Sequence, residues 1–132
     1  MALQRSSLGL FGVFGRSADL RALDQALQSA ALHPALVPDA VKLTVLNALK
    51  DARGEEPSAE DYRETAALLA YCALGREAFD VANGVLAVST AEHRIEAALE
   101  AGEGFDASLI LLALHAGIID PGVKESFQLD SV

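Results

Sequence analysis

Apolar residues in this chain recur at three- and four-residue steps, and glycine or proline cuts each such run short. Leu20, Leu23, Leu27 and Ala30 make one stripe, and Val41, Val45, Leu46 and Leu49 make the next. His33-Pro34 breaks the first, Arg53-Gly54-Glu55-Glu56-Pro57 closes the second, and Gly75, Gly102-Glu103-Gly104 and Gly117 punctuate the rest of the chain. Helices joined by short connections pack as antiparallel neighbours. The make-up of the apolar set points the same way: 25 Ala and 21 Leu stand against seven aromatics, and Ala and Leu lose little freedom in a helix. The chain has 132 residues, enough for one domain with its own core. The expected fold is therefore all-α: a single compact, antiparallel, bundle-like domain of six or seven short helices over residues 17–128, with an apolar arm at 1–16 and a tail at 129–132.

Local signals set the expected elements. Ser17 is placed to cap the first helix, and Pro38-Asp39 restarts the chain for the second, which runs to about Ala52. Ser58, followed by Glu60 and Asp61, opens a third helix that turns apolar on all sides between Ala66 and Leu74. Residues 79–88 are ambiguous, because Asn83-Gly84 between apolar residues is also a hairpin signal. A lone hairpin in a helical chain is marginal, so helix is expected there. Ser89-Thr90 is expected to start a further helix to about Ala101, and Asp106 to cap the one after it. From Leu109 to Leu114 that helix carries no polar side chain, which makes it, with the third, one of two central apolar helices, at about 58–74 and 106–116. Asp120-Pro121 opens a final helix to about Phe127.

Two twelve-residue stretches, 82 positions apart, read almost alike: Ala31-Leu32-His33-Pro34-Ala35-Leu36-Val37-Pro38-Asp39-Ala40-Val41-Lys42 and Ala113-Leu114-His115-Ala116-Gly117-Ile118-Ile119-Asp120-Pro121-Gly122-Val123-Lys124. Each has the grammar of a helix end, a turn and a proline-led start. The likeness implies a pseudo-symmetric pair of helix corners, with His33 and His115 in the last turns of their helices. An imidazole there suits the helix dipole or bonds an orphan carbonyl. A ligand or metal site would need both histidines to converge with Asp39 and Asp120, making the chain a ligand- or metal-binding bundle and conceivably an enzyme.

The formal charge is −9, and the ten Lys and Arg are scattered. Nucleic-acid binding needs a basic footprint, so it is not expected, and neither is an anionic membrane surface as the target. No apolar run approaches the roughly 20 residues of a membrane span. The single cysteine, Cys72, lies in an apolar helix, which implies a buried core thiol and a reducing, cytoplasmic setting. Glu92, Glu96 and Glu100 form a stripe at four-residue steps, but no glutamate precedes a histidine by three, as the di-iron pattern requires, so a solvated face is expected. The phosphate-loop, dinucleotide, zinc and EF-hand patterns are absent. No catalytic, cofactor-binding or metal residue is therefore assigned. There remains the arm, where Leu8, Leu10, Phe11, Val13 and Phe14 lie among three glycines and between Arg5 and Arg16. It is expected to pack on its own domain or on a second copy, or to dock on a protein partner, with membrane contact not expected. The leading functional expectation is a non-catalytic protein–protein interaction or self-association module.

Overall fold

The computed structural model describes residues 18–129, and all its regular elements are helical. α1 covers residues 18–29 and is followed by a 3-10 turn at Pro34–Leu36. Then come α2 (Asp39–Arg53), α3 (Ala59–Leu74), α4 (Arg76–Asn83), α5 (Val85–Ala101), α6 (Phe105–His115) and α7 (Pro121–Phe127). The arm at 1–16, its residues Leu8, Leu10, Phe11, Val13 and Phe14, the expected cap Ser17 and residues 130–132 lie outside the described residues.

α3 packs on α4, α5 and α6, α6 packs on α2, α3 and α5, and α5 packs on α3, α4 and α6, so the two apolar helices are central and α5 shares that place with them. In α3 the residues Thr65, Ala66, Leu68, Leu69, Ala70, Tyr71 and Cys72 are all buried. Its start follows from a reciprocal cap: Asp61 N donates to Ser58 Oγ (3.1 Å) and Ser58 N donates to Asp61 Oδ2 (2.8 Å). α6 departs from the expectation of burial on all sides. Leu109, Ile110 and Ala113 face the core, while Leu111 remains 46% exposed.

Residues 79–88 are helical, but not one helix. Gly75 (φ 89°) and Gly84 (φ 95°) sit in a region closed to L side chains and serve as the N-caps of α4 and α5. The chain therefore turns a corner at Gly84, and α5 starts at Val85 rather than at Ser89-Thr90. Asp106 is not a cap either: Gly104 is the N-cap of α6. Asp106 is instead held by Arg94 of α5, whose Nε and Nη2 reach its carboxylate at 3.0 and 2.8 Å while Nη1 donates to Glu64 O of α3 at 2.7 Å.

The twin stretches resolve into one true correspondence and one false one. Their helix starts match: Pro38 and Asp120 are the N-caps of α2 and α7, 82 positions apart. Exchanging Pro and Asp matters, since Asp120 accepts from Gly122 N (2.9 Å) and Pro38 makes no side-chain cap. The helix ends do not match at that spacing. Both α1 and α6 close with the paired 6→1 and 5→2 bonds of a glycine-type terminus, Leu32 N to Leu27 O with Ala31 N to Gln28 O, and Ile118 N to Ala113 O with Gly117 N to Leu114 O. The left-handed residues are Ala31 (φ 72°) and Gly117 (φ 71°), four residues out of the 82-residue register, and the 3-10 turn at Pro34–Leu36 takes up the excess.

Ala31 thus does a glycine's job with a Cβ, in a conformation that costs an L residue about 1–2 kcal/mol. Part of that strain is offset in the unfolded chain, where alanine is stiffer. Ala31→Gly is expected to stabilise by about 0.5–1 kcal/mol and Gly117→Ala to destabilise by a similar amount. A Cβ at Gly117 meets nothing within 4 Å, so the second effect is purely conformational. Urea midpoints of the two variants, moving in opposite directions, check this.

Candidate interaction surface

Polar side chains inside the bundle act mainly as fasteners. Asp19 of α1 accepts from Lys50 Nζ of α2 (2.5 Å) and from Tyr62 OH of α3 (3.2 Å), tying three helices at one end of the molecule. Glu92 of α5 accepts from Tyr71 OH of α3 (2.7 Å) and Arg76 Nε of α4 (3.0 Å). Glu92 therefore leaves the solvated stripe expected of it, whereas Glu96 and Glu100 stay exposed. Asn83 Nδ2 donates to Ala30 O at 3.0 Å and holds the end of α4 against the end of α1.

These fasteners have a pH signature. Burial first, and then the Asp19 charge, push the Tyr62 hydroxyl up to about 12. Burial, followed by the bond to Glu92, pushes Tyr71 up as well. Burial raises the Cys72 thiol from 9.0 to about 12, in keeping with a core cysteine. The bond to Asp19 raises Lys50 above its ordinary 10.5. In each case the folded protein holds its proton to higher pH than the unfolded chain does. The stabilisation is thus complete below the unfolded values, beginning to fail from pH 9.0 for the thiol and 10.0 for the tyrosines, and is lost as pH climbs through the folded values. Tyr62 and Tyr71 are the chain's two tyrosines, so tyrosinate absorbance reports on them alone. It is expected to rise late and together with the loss of helicity. Ionisation at pH 10.0, the ordinary tyrosine value, with helicity intact would contradict the geometry.

Each of the four residues that a histidine-centred site would need has a local setting of its own. His33 is not in the last turn of α1. It is the N-cap of the 3-10 turn, with Nδ1 accepting from Ala35 N at 3.1 Å. His115 is the last residue of α6 and is exposed. Asp39 lies in the first turn of α2, 3.7 Å from Lys42 Nζ. Asp120 caps α7 and lines a cleft of about 390 Å³ with Tyr71, Arg76 and Ser126, and neither His33, His115 nor Asp39 lines that cleft. Among the described residues no group of three or more His, Cys, Asp or Glu side chains is arranged to hold a metal ion. A second polar cleft, about 360 Å³, lies against Arg53, Arg94 and Asp106, whose charges are already paired: Arg53 with Asp61 (3.0 Å) and Arg94 with Asp106 (2.8 Å).

The surface features that sequence reasoning missed are apolar. Val81, Val85 and Leu86, on either side of the Gly84 corner, are 89%, 64% and 81% exposed. Single apolar residues in water need no explanation, but here three large ones are exposed within six positions of the chain. Glu77 and Asp80, on α4 before the corner, give it an acidic flank. A second apolar surface is a groove of about 270 Å³ between α5 and α6, lined by Leu99, Ile110, Leu111, Leu114 and Leu129. The signal for the corner is present in the sequence: apolar residues on both sides of Asn83-Gly84, which a helix bent at the glycine cannot all bury. Among the described residues no helix is long and apolar enough to cross a membrane. No family model matches the chain, and comparison with curated proteins and with solved structures finds none that is similar.

Proposed function

We propose that this protein is a helical protein–protein interaction module, working in a reducing, cytoplasmic setting, and that the Gly84 corner is its docking surface. The observation that carries this reading is the exposure of Val81, Val85 and Leu86: they are three of the six large apolar residues exposed among the described residues, and Val81 at 89% and Leu86 at 81% are the two most exposed of them. The partner, another protein or a second copy of this chain, presents an apolar face to the corner. The acidic flank and the overall charge of −9 favour a partner that is basic or neutral around that face. Large apolar residues at the centre of a patch supply binding energy, while a charged rim sets orientation and on-rate.

The test is a pair of corner substitutions, Val81→Asp with Leu86→Glu. Both side chains are exposed, so stability should change by no more than about 0.5 kcal/mol each. Assembly of the full chain with itself or with a partner, read by sedimentation and co-purification, should be lost. A strictly monomeric wild-type protein that retains no partner would overturn the reading, as would assembly that survives both substitutions.

A further inference from the structure

We propose that Asn83 is a self-modification site: its side-chain amide is lost by cyclisation onto the backbone nitrogen of Gly84, local opening of α4 is the gate, and the product releases α4 from α1. This is a covalent change at the corner, and it stands whether or not the corner docks a partner.

The dipeptide sets the chemistry. An asparagine side-chain carbonyl carbon lies within reach of the next residue's backbone nitrogen, and glycine, with no Cβ, leaves that nitrogen unhindered and free to turn toward it. Solvent hydroxide takes the Gly84 N–H proton, the nitrogen bonds Asn83 Cγ, and the Cγ–Nδ2 bond breaks. Nδ2 leaves as ammonia with a proton drawn from water, and a succinimide ring remains. Water then opens the ring at one carbonyl or the other, giving aspartate or isoaspartate at position 83. One water is consumed and one ammonia released, with no oxidation or reduction. The chain's other asparagine, Asn47, precedes Ala48 rather than a glycine and serves as an internal control.

In the folded protein both reacting groups are occupied. Asn83 Nδ2 donates to Ala30 O at 3.0 Å, and Gly84 N donates to Asp80 O at 2.8 Å, closing the last turn of α4. Cyclisation must break both bonds and unwind the helix at Asn83. Little resists that locally: α4 has eight residues, Phe79 is its buried one, and its N-cap Gly75 makes no side-chain bond. A helix this short is marginal alone, and elements of this kind open at a lower free energy than the whole domain. α4 therefore opens, and exposes Asn83 to the reaction, without the bundle unfolding.

The product does not restore the clasp. An aspartate carboxylate has no donor for the Ala30 carbonyl, so two acceptors then face each other. The new charge also lies at the negative end of the α4 dipole, in the same turn as Asp80. Isoaspartate goes further and adds a methylene to the main chain at the corner. The change is one-way, and each molecule that undergoes it keeps a loosened α4.

The test incubates the full chain at mildly alkaline pH in a series of urea concentrations below the unfolding transition, with a fully unfolded sample as reference. Peptide mapping and isoaspartate methylation follow Asn83 and Asn47. Asn83 should react at least about tenfold more slowly in the native chain than in the unfolded one. Its rate should rise with urea much less steeply than global unfolding does, because opening α4 exposes little surface. Phe79→Ala, where the bundle remains helical, should raise the native rate by about tenfold or more. Asn83→Asp installs one product directly and should speed amide exchange in α4 while α2 and α3 exchange as in the wild type. Four results would overturn the proposal: a native rate equal to the unfolded one, a native rate that tracks global unfolding throughout the urea series, a helical Phe79→Ala chain that reacts no faster, or an Asn83→Asp chain whose α4 exchanges as slowly as before.

Discussion

Phe79→Ala is expected to lower the unfolding free energy by about 3–5 kcal/mol, a large part of the roughly 5–15 kcal/mol that holds a domain together. Phe79 is the buried residue of the eight-residue α4. It is 1% exposed and meets Tyr71 of α3 edge to face, with ring centroids 5.5 Å apart at 79°. Such a pair adds about 0.5–1.5 kcal/mol beyond burial itself. Removing the ring leaves a cavity under a helix too short to persist unaided, since isolated helices of fewer than about 12–15 residues are marginal in water. α4 should therefore loosen before the rest of the bundle and take Val81 and the Gly84 corner with it. Urea denaturation gives the magnitude. Association should fail in Phe79→Ala even under conditions where most helicity remains, whereas a loss of less than about 1 kcal/mol would mean that α4 is held by something else.

Lys42→Met should be the second most costly change, at about 1–3 kcal/mol. Lys42 is buried in the first turn of α2, its side chain 6% exposed, with Nζ 2.9 Å from Asp24 Oδ1 of α1. That oxygen is itself buried and has no donor along a hydrogen-bonding direction, so the ammonium compensates it by charge. Taking the charge away leaves a carboxylate oxygen desolvated and unpaired, which is the expensive outcome for a broken pair. Because the Asp24 side chain is 36% exposed overall, water relieves part of the cost and the effect stays below the roughly 3–5 kcal/mol typical of a fully buried pair. The pair itself, as opposed to its breakage, is worth little. Lys42→Met combined with Asp24→Leu should recover most of the loss, and a double variant as unstable as the single one would contradict this account.

The helical architecture was legible because it is written in local terms. Ser58 with Asp61, Asp120 with Pro121, and Gly117 with Ile118 act where they stand, and the stripes from Leu20 to Leu49 follow the helical period. Long-range matters were not legible. Nothing near Lys42 in sequence says that its ammonium will be buried, because its partner Asp24 is on another helix. Asp106 and Glu92 have the sequence setting of a cap and a solvated residue, but Arg94, Arg76 and Tyr71 claim them across helix boundaries. The 82-residue likeness misleads for a subtler reason. The two matching starts are marked by proline and aspartate, which sequence displays, while the end of α1 is fixed by a left-handed Ala31 that sequence cannot distinguish from any other alanine. Two histidines that look equivalent therefore sit on different sides of their helix ends. The corner is only half legible: the apolar residues on both sides of Asn83-Gly84 are visible in the sequence, but their exposure is not, because a helix continued through Gly84 would assign Val81, Val85 and Leu86 to a buried stripe.

If the protein meets its partner through the Gly84 corner, amide hydrogen exchange locates the interface directly, comparing the dilute full chain with the same chain in its assembled state. Protection should rise over residues 80–88, where α4 ends and α5 begins, and the rise should disappear in Val81→Asp with Leu86→Glu. Unchanged exchange over 80–88, with new protection appearing elsewhere on the bundle, would contradict it.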